Sequence, residues 1–186
     1  MKYIFEIIWI CWLLSEILLN RLVRSKNADS KELDKNSLSL IWIAIIASMT
    51  LGIFIAIYWG AQIINTNLLL YLGSMLIVVG IIIRFIAIRT LGKFFTVNLA
   101  IYGNHSLIKN GLYKYIRHPS YTGSLLSFLG FGLSLNNWLS LIIIFVPVLI
   151  TFINRINIEE KLLQKQFGTE YSDYKKKTKR LIPMIY

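Results

Sequence analysis

The sequence predicts an all-α integral membrane protein of about five transmembrane helices, closed by a C-terminal amphipathic helix. Composition, the grouping of apolar residues and the placement of charge all point this way. Of the 186 residues 56% are hydrophobic, and mean hydropathy is +0.61. That is too apolar for an ordinary soluble domain, and the apolar residues lie in long blocks. The 20 Lys and Arg outnumber the 9 Asp and Glu, yet the basic residues stand almost entirely beside the ends of those blocks.

A run of about 18 apolar residues or more spans the hydrocarbon core, and residues 4–22, 38–64 and 68–88 meet that length. Two shorter runs, 121–135 and 138–153, are separated only by Asn136-Asn137 and read as a tight helical hairpin. The first run carries Glu6 and Glu16 and ends in Asn20-Arg21, without a basic leader or a small-residue cleavage site. It is expected to stay as a membrane helix. Residues 24–37 are polar and read as a linker. In the second run Ala44, Ser48, Gly52, Ala56 and Gly60 recur at every fourth position, a small-residue stripe that predicts a packing seam rather than a pore. Between Thr90 and Tyr115 turn formers recur at close intervals, so this is a long loop, and such loops tend to be functional. After the fifth run Glu160, Leu163, Phe167, Tyr171 and Tyr174 share helical spacing, and Gly168 is expected to end or kink that helix.

Basic residues crowd segments 21–37 and 84–117 and the tail, whereas the turns at 65–67 and 136–137 carry no charge. The positive-inside rule then places the amino terminus outside and the carboxyl terminus, the long loop and the tail on the cytoplasmic side. An odd number of spans agrees with the count of five. The same placement makes membrane topology and anionic lipid, not nucleic acid, the reason for the +11 charge. Cys11 is the single cysteine, so no intramolecular disulfide and no cysteine-based metal site are available, and two histidines do not make a three-ligand zinc site. No Rossmann fingerprint, P-loop or hydrolase triad stands out. Gly130-Phe131-Gly132 reads as a helix packing contact.

The residues suited to chemistry gather at apolar borders, where an ionisable side chain is costly unless something binds it. His118 precedes Pro119 at the start of the fourth run, and proline suits a first helical turn. Free N–H groups there, with Arg117 and His118, would receive a carboxylate or phosphate. Arg155 and Glu159 stand four apart and share a helix face. An arginine there forks onto a carboxylate while a glutamate receives an ammonium; a mutual ion pair is the plainer reading. Glu160 is expected to face solvent or the basic loops.

Leu91-Gly92, Phe95-Thr96, Gly111-Leu112-Tyr113, the run Arg117-His118-Pro119-Ser120-Tyr121-Thr122-Gly123, then Arg155, Glu159-Glu160, Leu163, Phe167-Gly168, Tyr171, Tyr174 and Pro183 together resemble the isoprenylcysteine carboxyl methyltransferase family. The resemblance covers roughly residues 84–183. It implies a membrane enzyme that uses S-adenosyl-L-methionine without a Rossmann domain, with the cofactor held by the cytoplasmic loop and the histidine-proline motif. By position it implies cofactor contacts at Asn98, His105, Ser106, Leu107, Ile108, Tyr113, His118, Pro119, Ser120, Tyr121 and Glu159. Asn98 stands where eukaryotic members carry a glutamine. The resemblance makes Arg155 the residue that binds the acceptor carboxylate and Arg155 with Glu159 the catalytic pair, with no metal. It also divides one membrane domain into N-terminal helices and linker, 1–83, and a catalytic region, 84–186.

The expected reaction is methyl transfer to the carboxylate of a lipophilic or prenylcysteine-like acceptor in the membrane. Such a group is already ionised at neutral pH and needs no general base. A phospholipid amine or lipid hydroxyl is the alternative acceptor, and it would need proton removal, so a pH–rate profile separates the two. From other classes, the chain would bind haem through His105 and His118 or act as a non-enzymatic scaffold. Steroid-type reductases that bind NADPH use a related membrane fold, but Arg155 and Glu159 with Phe167-Gly168 favour the methyltransferase.

Overall fold

The computed structural model describes residues 2–22, 29–64, 66–95, 106–183 and 185–186. Among the described residues there are five α-helices, α1 (Lys2–Leu22), α2 (Asp29–Tyr58), α3 (Leu68–Leu91), α4 (Pro119–Ser134) and α5 (Trp138–Lys177), with 3-10 turns at Gly92–Phe94 and Gly111–Lys114. Among the described residues there is no strand, only two isolated bridges, Gln62 with Asn137 and Ile116 with Lys179.

Among the described residues three helical segments are long and apolar enough to cross a membrane: Ser37–Tyr58 of α2, Leu68–Leu91 and Trp138–Lys177. Their outer faces expose large side chains such as Ile43, Ile57, Phe85 and Ile150, an apolar surface far beyond what water-facing monomers present. α4 has 16 residues, about 24 Å at helical rise, and is mostly buried among its neighbours.

Several boundaries differ from the sequence expectation. The presumed linker is helical from Asp29, so α2 starts earlier than its apolar run, and it stops at Tyr58 rather than near residue 64. Trp59 to Ile64 leave the helix because the α4–α5 turn takes their backbone groups. Asn137 Nδ2 donates to Trp59 O at 2.7 Å, Asn136 Nδ2 donates to Ile64 O at 2.7 Å, and Ile64 N donates back to Asn136 Oδ1 at 3.2 Å. Asn137 also caps α5, accepting from Ser140 N at 3.0 Å. The fifth span and the amphipathic helix form one element, bent at Gly168, whose φ of 51 lies in the left-handed region.

Glycines set the two main helix crossings. Along α3 and α4, Gly73 meets Gly130 and Gly80 meets Gly123 with backbones so close that a Cβ at Gly123 would lie 2.6 Å from Gly80 O and 2.8 Å from Arg84 N. Along α2 and α5, a Cβ at Gly52 would lie 2.5 Å from Ile144 Cγ1, and Ser140 Oγ donates to Gly52 O at 2.8 Å. The predicted seam holds at Ser48 and Gly52; Gly60 lies past the helix end with open space around it. Gly123→Ala should therefore lower stability by about 1–3 kcal/mol through overpacking against backbone, read as a drop in the detergent melting temperature, while Gly60→Ala should leave it unchanged.

Candidate active site

The site is built where the first turn of α4 meets α5 beyond its most apolar stretch. Pro119 occupies the first helical position, as its missing N–H allows. The first backbone bond of α4 runs from Thr122 N to His118 O at 3.1 Å, so the N–H groups of Ser120 and Tyr121 precede the helical ladder. α5 sends three ionisable side chains toward this turn. Arg155, 2% exposed, donates from Nε to Tyr121 Oη at 3.1 Å and from Nη1 to Ser37 Oγ on α2 at 2.7 Å. Tyr121 in turn donates to Glu159 Oε2 at 2.8 Å. One phenol thus joins the cation and the carboxylate that helical spacing alone placed on a common face.

Glu159 keeps a side chain 27% exposed, with Oε1 3.8 Å from His118 Nδ1. The neighbouring carboxylate is different: Glu160 is 4% exposed and lies 2.9 Å from Arg117 Nε, 2.9 Å from Arg180 Nη2, 3.6 Å from Lys175 Nζ and 3.4 Å from His118 Nε2. Of the two surroundings expected for Glu160, solvent or the basic loops, it takes the second, buried among basic groups of loop and tail. Consecutive helical residues point about 100° apart, so one carboxylate faces α4 and the next faces the returning tail. Arg117 turns the same way. Its Nη1 donates to the carbonyls of Lys175 and Thr178, so the anion receptor expected of Arg117 is not formed.

The tail is laced to the site. Arg117 N donates to Lys179 O at 2.8 Å, His118 N to Arg180 O at 3.1 Å, and Thr122 Oγ1 to Leu181 O at 2.8 Å. On the other flank Arg84 of α3 donates from Nη1 to Ser120 O at 3.2 Å and to Ser120 Oγ at 3.1 Å, while its Nη2 pairs with Glu16 of α1 at 2.9 Å. Four helices therefore fix the turn that carries His118, Pro119, Ser120 and Tyr121.

Of the other residues singled out in sequence, Tyr113 is buried in its 3-10 turn and reached through its carbonyl by Tyr174 Oη at 2.7 Å. Burial first, and Glu159 next, push its phenol above its ordinary range, so it stays a neutral donor. Ser106 is exposed and Leu107 and Ile108 are half-buried in the segment leading to that turn. Asn98 and His105 lie outside the described residues. Sequence reasoning placed neither Ser37 nor the Glu16–Arg84 pair here. Glu16 did carry a signal, as a carboxylate within an apolar run needs a partner.

A family model described as phospholipid methyltransferase matches residues 68–170, which includes α3, α4 and α5 through Glu170. The chain is similar to the protein-S-isoprenylcysteine O-methyltransferase of Saccharomyces cerevisiae, 39% identical over 122 residues that cover 64% of this chain and 51% of that one. It is similar also to the protein of the same name from Tribolium castaneum, 30% identical over 173 residues, covering 92% of this chain and 61% of that one. Among solved structures it resembles a eukaryotic intramembrane Ras methyltransferase, isoprenylcysteine carboxyl methyltransferase, with a TM-score of 0.63 at 29% identity over 77% of this chain and 52% of that one. The chain thus spans about half to three fifths of the length of these relatives.

Proposed function

This chain belongs to the phospholipid methyltransferase family, is an integral membrane protein, and from that premise we propose that it transfers a methyl group from S-adenosyl-L-methionine to the carboxylate of a lipophilic, prenylcysteine-like acceptor. The observation that carries this reading is the Arg155–Tyr121–Glu159 cluster, in which one phenol links a buried guanidinium to a partly exposed carboxylate. The names of the curated relatives support the acceptor class.

The residues present suit this cofactor. Its methionine part bears an ammonium and a carboxylate. Glu159, reachable and already oriented by Tyr121, offers an anion to the first, and the first-turn N–H groups of α4 offer donors to the second. When bound, S-adenosylmethionine supplies a methyl group activated on a sulfonium sulfur. The protein's own part is binding and alignment. Glu159 holds the cationic end, Tyr121 fixes Glu159 and Arg155 relative to one another, and Arg155 orients an acceptor carboxylate that is ionised without help. Burial of Arg155 excludes water, and its charge-assisted contacts are stronger for it. In this reading residues 84–186 form the catalytic region and α1 and α2 the lipid-facing remainder. The chain crosses the membrane five times, and the loop, tail and site are cytoplasmic, where the basic segments favour them.

His118 favours this over a haem reading, because its ring nitrogens face Glu159 and Glu160 and the residue is 4% exposed. The test is calorimetric titration of detergent-purified protein with S-adenosylhomocysteine. Loss of a charged hydrogen-bonded contact in Glu159→Gln should weaken binding by about 2 kcal/mol, about 30-fold in Kd. Equal affinity in parent and variant would remove Glu159 from the cofactor site. Transfer of labelled methyl to phosphatidylethanolamine vesicles, and none to a farnesylated cysteine with a free carboxylate, would move the acceptor to the amine class.

A further inference from the structure

The family match begins at residue 68 and leaves α2 outside, yet α2 reaches the site through Ser37. Ser37 Oγ accepts the 2.7 Å hydrogen bond from Arg155 Nη1, and the serine is 6% exposed and the arginine 2% exposed.

The contact is locked in register. At the far end of the same helix pair Ser140 Oγ bonds Gly52 O at 2.8 Å, and the same number of residues separates Ser37 from Gly52 as separates Ser140 from Arg155. The two helices run antiparallel with a hydroxyl clasp at each end, and at the far clasp Gly52 is also pressed on Ile144. Sliding α2 along α5 would break both clasps and collide at the glycine. Arg155 is meanwhile gripped at Nε by Tyr121 of α4. A planar guanidinium held at two nitrogens from two helices has its plane defined.

We propose that Ser37 is a positioning residue of the acceptor step, setting the plane of Arg155 without touching acceptor or cofactor. The inference rests on the reading of Arg155 as the group that orients the acceptor carboxylate.

The full chain in detergent is assayed for labelled methyl transfer to a farnesylated cysteine with a free carboxylate, with S-adenosylhomocysteine affinity and melting temperature measured alongside. Ser37→Ala should lower kcat/KM for the acceptor about tenfold, the size of one lost hydrogen bond to a charged group, through a raised acceptor KM. S-adenosylhomocysteine Kd and melting temperature should stay at parent values. Parent-like kcat/KM in Ser37→Ala overturns the proposal. So does a loss matched by weaker cofactor binding and a lower melting temperature, which marks a merely structural contact. Arg155→Leu in the same assay separates the layers. If it stays active, the reading of Arg155 fails and this inference with it; if it is inactive while Ser37→Ala is normal, only the positioning role fails. No transfer to the acceptor by the parent removes both.

Discussion

Arg155→Leu is expected to lower methyl transfer by about 100- to 1,000-fold, the loss typical of deleting one preorganised charged donor from a water-poor site, while S-adenosylhomocysteine binding stays within about threefold of the parent. The separation follows from geometry. Arg155 reaches the cofactor side through Tyr121, whose hydroxyl donates to Glu159 at 2.8 Å and keeps that partner when the arginine is gone. Leucine fills much of the volume at a position 2% exposed and brings no polar group needing a partner, and the Ser37 hydroxyl can turn to a carbonyl of its own helix. What disappears is the planar two-point donor for a carboxylate. Arg155→Lys should fall between, since an ammonium restores charge but not the fork. Labelled-methyl incorporation and calorimetry on the same preparations check both halves. Parallel loss of transfer and of cofactor binding would show that Arg155 serves the cofactor site and would end the division of roles between Arg155 and Glu159.

The features that made Arg155 and Glu159 visible in the sequence are local. They sit four apart after an apolar run, and helical periodicity alone puts them on one face. Pro119 likewise announced the start of α4. Features set by chain return were hidden. The backbone of Trp59 to Ile64 is non-helical because Asn136 and Asn137, more than 70 residues later, take its hydrogen-bonding groups, and an apolar run carries no mark of that. The α3–α4 crossing depends on Gly73 and Gly80 meeting Gly130 and Gly123. Each pair repeats at the same spacing in sequence, but only the antiparallel register makes the pairs coincide. The burial of Glu160 among its basic partners was hidden as well. Adjacent carboxylates look alike in sequence, and what separates them is that the tail after α5 turns back and lays Arg180 and the carbonyl of Thr178 beside Arg117. One signal was available. A buried cation needs an anion, and a chain with 9 acidic residues against 20 basic ones leaves few candidates for Arg117 other than the carboxylates closest to Arg155.

Glu160→Ala should be the most destabilising single change at this site, by about 3–5 kcal/mol, because it strands a buried charge rather than merely removing a contact. The cost comes from Arg117, whose side chain is 7% exposed and whose Nε loses its partner at 2.9 Å. Arg180 and Lys175, at 27% and 38% exposure, regain water and add little. The consequence spreads along the tail, because the backbone bonds from Arg117 and His118 to Lys179 and Arg180 depend on Arg117 staying in place. The measured signs should be a lower melting temperature in detergent and faster tryptic cleavage among Lys175, Lys176, Lys177 and Lys179; an unchanged melting temperature with a protected tail would show that the cage contributes nothing. The double variant Glu160→Leu/Arg117→Met should recover much of the stability, since apolar groups of similar volume can replace a buried ion pair. If it also recovers S-adenosylhomocysteine binding, Glu160 acts only by holding the tail and His118 in place. If stability returns and binding does not, the charge of Glu160 itself is needed to orient the His118 ring beside Glu159.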